Sequence, residues 1–517
     1  MATMSRGSVV TLQTDGLRAE DVVAVARGAA KVEIAVTALE AMGTARASVE
    51  AAGRRAAPVY GVSTGFGLLA YTKIPPGKRS ALQHSALRSH AAGMGPAVER
   101  EVVRAMMVLR ARSLCMGYSG SRAEIAASLV DLLNAGITPV VPEYGSVGAS
   151  GDLAPLAHVA LALVGEGKAE MPDGRISTSA DALREAGLAP LRLEMKEGIS
   201  LVNGTDGMLG MLVLALADLA ILLPTADVAA ALSVEALLGT DRPFASELQF
   251  LRPHPGQIQS AANLRRLLKG SMIMESHRAS PHAVQDAYSV RCAPQVAGAA
   301  RDTVDFARQI ADRELHSAVD NPVVLPDGRL ESTGNFHGEP LAFALDFLAI
   351  AAAEVGSIAE RRVDRLLDPT RSAGLPPFLA QEPGVDSGLM IAQYTAASIV
   401  AENRRLASPA SVDSIPTSGM QEDHVSMGWG AARKLRAVIA NLSRLLAIEL
   451  LVASRGLELR RPVRPSPAGE AVGALVRRLG GGVGPDRFVA PELEAVAAAV
   501  RSGDILAEAV AAVGDLA

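Results

Sequence analysis

MLGMLVLALADLAILL, residues 208 to 223, is the longest apolar stretch of the chain, and its reading decides the fold class. Its length approaches that of a membrane span, yet Asp218 lies inside it and Pro224 follows it, so a helix buried in protein fits better than one in lipid. Three more Ala/Leu-rich stretches, Leu341 to Val355, Met390 to Leu406 and Ala431 to Leu457, repeat the helical pattern with wide apolar faces. Such helices pack side by side, so the expected class is mainly α, built on a long central helical bundle. Composition agrees: of 517 residues 49% are apolar but only 3% aromatic, which leaves the apolar share to helix-forming Ala and Leu, together with Val. A charged fraction of 20% excludes disorder, and a net charge of −5 without a basic block argues against a nucleic-acid partner. Two cysteines, Cys115 and Cys292, form no disulfide framework, and MATMSRGSVV lacks the apolar core of a signal peptide, so a cytoplasmic, non-membrane protein is expected.

Outward from the bundle, residues 19 to 52 read as amphipathic helices, whereas 58 to 77 and 135 to 152 are rich in Gly, Ser, Thr and Pro and lack a helical period. These are the loops on which functional groups are expected. MPDGRI (171 to 176) and LPDGRL (325 to 330) place Pro-Asp-Gly turns between apolar positions and predict two small hairpins. A composition shift near residue 200 separates a loop-rich N-terminal domain, 1-200, carrying short β hairpins, from an elongated helical-bundle domain, 201-517, with C-terminal helices. LGGGVGP at 479 to 485 reads as a surface turn before a terminal helix.

The most informative loop is GSVGASGDLAPLAH, residues 145 to 158. Gly145, Gly148 and Gly151 permit sharp turns and positive φ, and on spacing alone a flexible turn before a helix capped by Ser150 or Asp152 explains them. Over fourteen contiguous residues, however, the segment resembles the self-cyclising Ala-Ser-Gly loop of the aromatic amino acid ammonia-lyase family. That resemblance implies that Ala149, Ser150 and Gly151 form 4-methylidene-imidazol-5-one autocatalytically, with loss of two waters and no external cofactor. Such a family needs the group because an α-amino acid has a poor leaving group and a weakly acidic β-hydrogen, and no common side chain is an electrophile.

Further segments extend the resemblance from about residue 58 to residue 430. VYGVSTGFG (59 to 67) holds Tyr60 among Gly61, Gly65 and Gly67; by itself Tyr60 could be a packing residue on a loop that opens and closes, and by resemblance it is the general base. Its phenol would then need a pKa lowered from about 10. Ser63 stands where many family members carry Asn or Thr. KEGISLVNGTDG (196 to 207) supplies Asn203, either a simple Asn-Gly turn or, by resemblance, the amide that contacts the cofactor carbonyl or the substrate. AYSVRCAPQ (287 to 295) supplies Tyr288 and Arg291; the guanidinium fork suits a carboxylate, and the resemblance assigns it the substrate's α-carboxylate, with Gln285 nearby in the binding set. GNFHGEP (334 to 340) carries Phe336, a core residue on its own and an aromatic wall of the site by resemblance.

Substrate choice rests on His90, in LQHSALRSHAAGMGP, and Glu422, in QEDHVSMG. Alone, His90 could be a satisfied core histidine and Glu422 a first-turn acid at the start of a helix from about 422 to 457. Both segments resemble the histidine-specific branch, and an imidazole offers a donor to a buried carboxylate where a phenyl ring offers none. The resemblance therefore implies elimination of ammonia from L-histidine to give trans-urocanate by a homotetramer whose sites combine several subunits. Tyrosine ammonia-lyase or tyrosine 2,3-aminomutase is the alternative in the same family. The helical fumarase and aspartase group is disfavoured because its Gly-Ser-Ser-x-Met-Pro loop is absent, and a non-enzymatic helical scaffold leaves the loop motifs unexplained. Nine scattered histidines and the lack of Cys-x-x-Cys predict no metal site.

Overall fold

The computed structural model describes residues 9–28, 30–55, 58–280 and 284–517. The fold is mainly α, with short strands at its margins. The decisive apolar stretch lies in helix Asp206–Ala236, which runs on through Pro224. Pro224 gives up one ladder hydrogen bond, while the next hydroxyl, Thr225 Oγ1, donates to the Ile221 carbonyl at 2.7 Å. Among the described residues three helices are long and apolar enough to cross a membrane, Asp206–Ala236, Glu339–Leu367 and Gly428–Leu459, and the most apolar windows of the first and last are 78% buried within the protein. Asp218, which set the stretch apart from a lipid-facing one, pairs with Arg436 at 2.9 Å.

Two compact units share the chain. Unit 1 comprises 1–214, 308–345 and 409–433, and unit 2 comprises 215–307, 346–408 and 434–517. Each draws on separated segments, so the units are interleaved in sequence.

Unit 1 is organised on helix Arg100–Cys115, whose residues from Val102 onward are all buried, packed against Ala19–Ala26 and Ala123–Ala135. Three of the buried side chains are arginines that collect carbonyl oxygens from distant helix ends and loops. Arg104 donates to Val25 and Leu133, Arg110 to Asn203 and Val319, and Arg112 to Ser317. Burying a guanidinium is costly unless its donors find acceptors; although Nε of Arg110 and of Arg112 has none, the terminal nitrogens tie these helix ends and loops to the helix that carries the charges.

Both Pro-Asp-Gly hairpins form. Lys168–Glu170 pairs antiparallel with Ile176–Thr178, and Val323–Val324 with Leu330–Glu331. Their turns close alike, with Gly174 N–H donating to Met171 O and Gly328 N–H to Leu325 O, both glycines at φ near +80°. Residues 19 to 52 differ from the expectation: between helices Ala19–Ala26 and Val36–Gly53 the strand Lys31–Ile34 pairs parallel with Val9–Leu12. A four-residue strand whose partner lies 22 residues upstream leaves no alternation long enough to read. Unit 2 is held internally by a buried pair, Arg362 with Glu449 at 2.5 and 2.9 Å, to which Ser233 Oγ also donates.

Candidate active site

The loop 145–151 in unit 1 is a succession of left-handed turns, with φ of +152° at Gly145, +78° at Gly148, +50° at Ser150 and +81° at Gly151. A non-glycine residue at positive φ between two such glycines is strained, as functional loops often are. Gly151 sits against Gly204 as a backbone bridge, and a Cβ added at Gly151 would lie 2.1 Å from the Gly204 oxygen. The Ser150 hydroxyl has no hydrogen-bond partner among the described residues.

Asp152 does not cap its own helix, Leu153–Leu163. Its Oδ2 instead accepts from Gly207 N–H at 2.9 Å and Met208 N–H at 3.0 Å, capping helix Asp206–Ala236, while its own N–H donates to Gly204 O. The Ala149–Gly151 loop is thereby clamped to the Asn203–Gly207 segment. Burial, with nearby Asp206, pushes the Asp152 carboxyl up to about 7, against its backbone donors. For an acid held above its unfolded value of about 3.9, the folded state binds the proton more tightly. Its stabilising contribution is therefore greatest below about pH 4, falls as pH rises towards about 7, and is level beyond. Asp152→Asn keeps an acceptor for both N–H groups and removes the titration. Melting temperatures measured from pH 4 to 8 should accordingly fall less for the variant than for the wild type.

Tyr60 is half-buried, edge-on to Phe66 with centroids 6.4 Å apart, and its hydroxyl accepts from Gly67 N–H at 3.3 Å. Ser63 Oγ accepts from Val59 N–H at 2.9 Å and closes the turn that presents Tyr60. The phenol is held above its ordinary value, first by burial and then by the Glu422 charge, the Gly67 donor opposing both. Burial and the Glu422 charge thus oppose the lowering that a general base would need.

Glu422 lies in a loop, since the long helix begins only at Gly428, which removes the first-turn reading. Its Oε2 accepts from Thr417 Oγ1 at 2.5 Å, and Thr417 and Glu422 pair through their backbones. This turn abuts the Tyr60 loop, where Leu68 N–H donates to Ser418 Oγ at 3.4 Å. The base candidate and the specificity candidate, 362 positions apart, thus share one corner of unit 1.

His90 ends helix Arg79–His90 with Nδ1 at 2.8 Å from Ala86 O, which assigns the proton to Nδ1 and leaves Nε2 as an acceptor. It makes no hydrogen bond to Glu422 among the described residues. The strand just beyond it, Met94–Ala97, pairs with Pro142–Tyr144, which leads into the triad loop, and Gly93 N–H donates to His158 Nε2 at 3.1 Å. Phe336 is half-buried on a loop whose His337 stacks nearly parallel on His424, ring centroids 5.8 Å apart. Ser426 joins the parts: a Cβ at Gly148 would meet its Oγ at 2.1 Å and one at Gly338 at 3.1 Å. His337, Glu339 and His424 bring possible ligand atoms within 4.8 Å of one another, a grouping that the sequence spacing did not suggest. His337 Nδ1 accepts from Glu339 N–H and Nε2 faces the His424 carbonyl, both at 3.4 Å, so this histidine already joins two loops.

In unit 2, Tyr288 is exposed and Arg291 stacks over its ring at 4.6 Å. Arg291 has no carboxylate partner among the described residues, and its Nε is buried without a hydrogen bond. Arg362 donates to the Ser289 carbonyl at 3.2 Å and Asp286 accepts from Thr240 N–H at 2.8 Å, which fixes the turn. Gln285 is exposed just after the undescribed residues 281–283.

A profile of the family described as aromatic amino acid lyase matches residues 17–478. The chain belongs to the aromatic amino acid lyase family. The histidine ammonia-lyase of Streptomyces avermitilis is 61% identical over 509 residues, covering 98% of this chain and 99% of that relative. Among solved structures, a tyrosine aminomutase from Streptomyces globisporus superposes with a TM-score of 0.92 at 39% identity, covering 98% of this chain and 99% of the other. A histidine ammonia-lyase from Trypanosoma cruzi gives 0.89 at 40% identity, covering 98% and 96%.

Several supports in this member of the family were silent in the sequence. The destination of the Asp152 carboxylate, the Gly93–His158 bond and the Ser426 hub depend on side chains that look ordinary until the fold joins their segments. Gly151, by contrast, stood out in the sequence as a position open to a sharp turn and positive φ, which it adopts. Gly151→Ala adds a Cβ at positive φ, costing about 1–2 kcal/mol, and drives it into a backbone carbonyl that cannot rotate away. Calorimetry should show a lower melting temperature, and intact mass should show no loss of water.

Proposed function

We propose that the chain eliminates ammonia from L-histidine to give trans-urocanate, using 4-methylidene-imidazol-5-one formed from Ala149, Ser150 and Gly151. The observation that supports this reading is the strained triad loop, clamped through Asp152 to the Asn203–Gly207 segment; elsewhere in the same unit Tyr60 and Glu422 lie close enough to interact. The residues fit the group: Gly151 is where a Cβ has no room, and the Ser150 hydroxyl has no partner to lose by dehydration. When formed, the group supplies the electrophile that no side chain offers.

The chain's own residues do the rest. Arg291, with an unmatched guanidinium, receives the α-carboxylate as a two-bond fork. Glu422 keeps one oxygen on Thr417 and offers the other to one N–H of a protonated substrate imidazole, while the His90 acceptor nitrogen takes the second N–H, donors that a phenyl group lacks. Tyr60 removes the β-proton, and since burial and the Glu422 charge hold its phenol high, the positive charge of the bound substrate would bring it into range. Likeness to a tyrosine aminomutase favours a tyrosine-directed alternative, against which the Glu422 carboxylate stands. A homotetramer with shared sites belongs to the proposal, supported by exposed Ile391 and Tyr394 on one helix and Phe347 and Ile350 on another. A cytoplasmic location is supported by the two unpaired cysteines.

Tyr60→Phe tests the base. Turnover of histidine should fall by about 10²–10⁴-fold with little change in affinity, the signature of a group acting in the transition state. Near-normal turnover would return Tyr60 to a packing role.

A further inference from the structure

Lys196 is fully buried and sits at φ +72°, a conformation that side-chain-bearing residues rarely hold without reason. Its Nζ donates to Asp320 Oδ2 at 2.8 Å and to Ser200 Oγ at 3.0 Å, and Ser200 Oγ lies 3.1 Å from the same carboxylate oxygen. The other carboxylate oxygen, Asp320 Oδ1, accepts from Asn321 N–H at 2.7 Å and from Asn203 Nδ2 at 3.3 Å. Asn203 Nδ2 also donates to the Asn321 carbonyl at 3.1 Å. Both hydrogens of the Asn203 amide are therefore spent on residues 320 and 321.

This arrangement permits one orientation only. Turned over, the amide would aim its oxygen at a carboxylate and a carbonyl, two acceptors with no proton between them. Asn203 is fixed from its backbone as well, since Arg110 donates to its carbonyl at 2.9 Å, and the next residue, Gly204, bridges Gly151 of the triad. The atom that Asn203 has left to offer is the acceptor Oδ1.

We propose that Asp320, held by Lys196, is a positioning residue that locks the Asn203 amide with Oδ1 free, so that Asn203 accepts a hydrogen bond from the substrate's α-ammonium and does not donate to a carbonyl. The inference rests on the histidine reading above. A neutral pair at 196 and 320 would fill the same space but present Asn203 with an amide that can show it either donor or acceptor, and the lock would be lost.

The test needs no formed cofactor. In a Ser150→Ala background, calorimetry measures the binding of L-histidine and of urocanate, which lacks the amino group. Because Asp320→Asn alone would leave a buried ammonium unpaired, the variant used is Lys196→Gln/Asp320→Asn, with Asn203→Ala beside it. Both should weaken histidine by about tenfold or more, as expected for a lost hydrogen bond to a charged donor, while urocanate changes by less than about twofold. In the cyclising background the neutral pair should lose the mass of two waters normally, yet show kcat lower by about 10- to 100-fold, as for other lost supports of a working group. Equal losses for histidine and urocanate in the neutral pair, with Asn203→Ala still selective, would overturn the positioning role alone. Binding of neither ligand to the Ser150→Ala protein would overturn the histidine reading and the inference with it.

Discussion

Ser150→Ala is expected to lower turnover by at least about 10³-fold while leaving the fold in place, since the whole of an enzyme's acceleration, on the order of 10⁶ or more, depends on the electrophile. Dehydration needs the hydroxyl, and alanine has none to lose. The substitution is mild for the fold because that hydroxyl has no partner to orphan and alanine bears the same positive φ, +50°, at similar cost. Circular dichroism and melting temperature should therefore match the wild type. Intact mass separates the two proteins: the wild type should be lighter than its sequence mass by two waters, and the variant should not. A wild type of full sequence mass that nonetheless turned over histidine would end the cofactor assignment.

Glu422→Gln should cost histidine turnover about 10- to 100-fold, the range for a hydrogen bond to a charged group, with a smaller effect on the carboxylate end of the substrate. Its second effect has a definite sign. The Glu422 charge holds the Tyr60 phenol up, so removing it makes the phenolate easier to form. The rise of kcat/KM with pH, which follows deprotonation of Tyr60, should shift to lower pH in the variant even as its plateau falls. A lower plateau with an unmoved profile would leave Glu422 as a substrate contact without influence on the base. Turnover equal to wild type would remove it from the site.

Much of this was legible because the informative residues are contiguous. The stretch from 208 to 223, the two Pro-Asp-Gly turns and the fourteen residues from 145 each carry their pattern within one segment, and the first two took the expected form. What was not legible depends on contacts across the chain. Glu422 lies before its helix and not in its first turn because its partner is Thr417, five residues back, and the Tyr60 loop 350 positions away packs on that turn. The strand Lys31–Ile34 exists because Val9–Leu12 is beside it. The Tyr60 phenol is raised, not lowered, because burial and a carboxylate act on it, neither of which a lone Tyr before Gly announces. Lys196 and Asp320, 124 positions apart, form a buried pair that neither segment shows by itself.

The most direct measurement is to incubate the purified protein separately with L-histidine, L-tyrosine and L-phenylalanine and record product spectra with kcat/KM for each. Urocanate, coumarate and cinnamate are told apart by absorbance. The account predicts urocanate from histidine with kcat/KM well above that for the other two, because a site built around the Glu422 carboxylate and the His90 acceptor leaves these groups unpaired against a phenyl ring. A higher kcat/KM for tyrosine, or a β-amino acid in place of an unsaturated product, would contradict it.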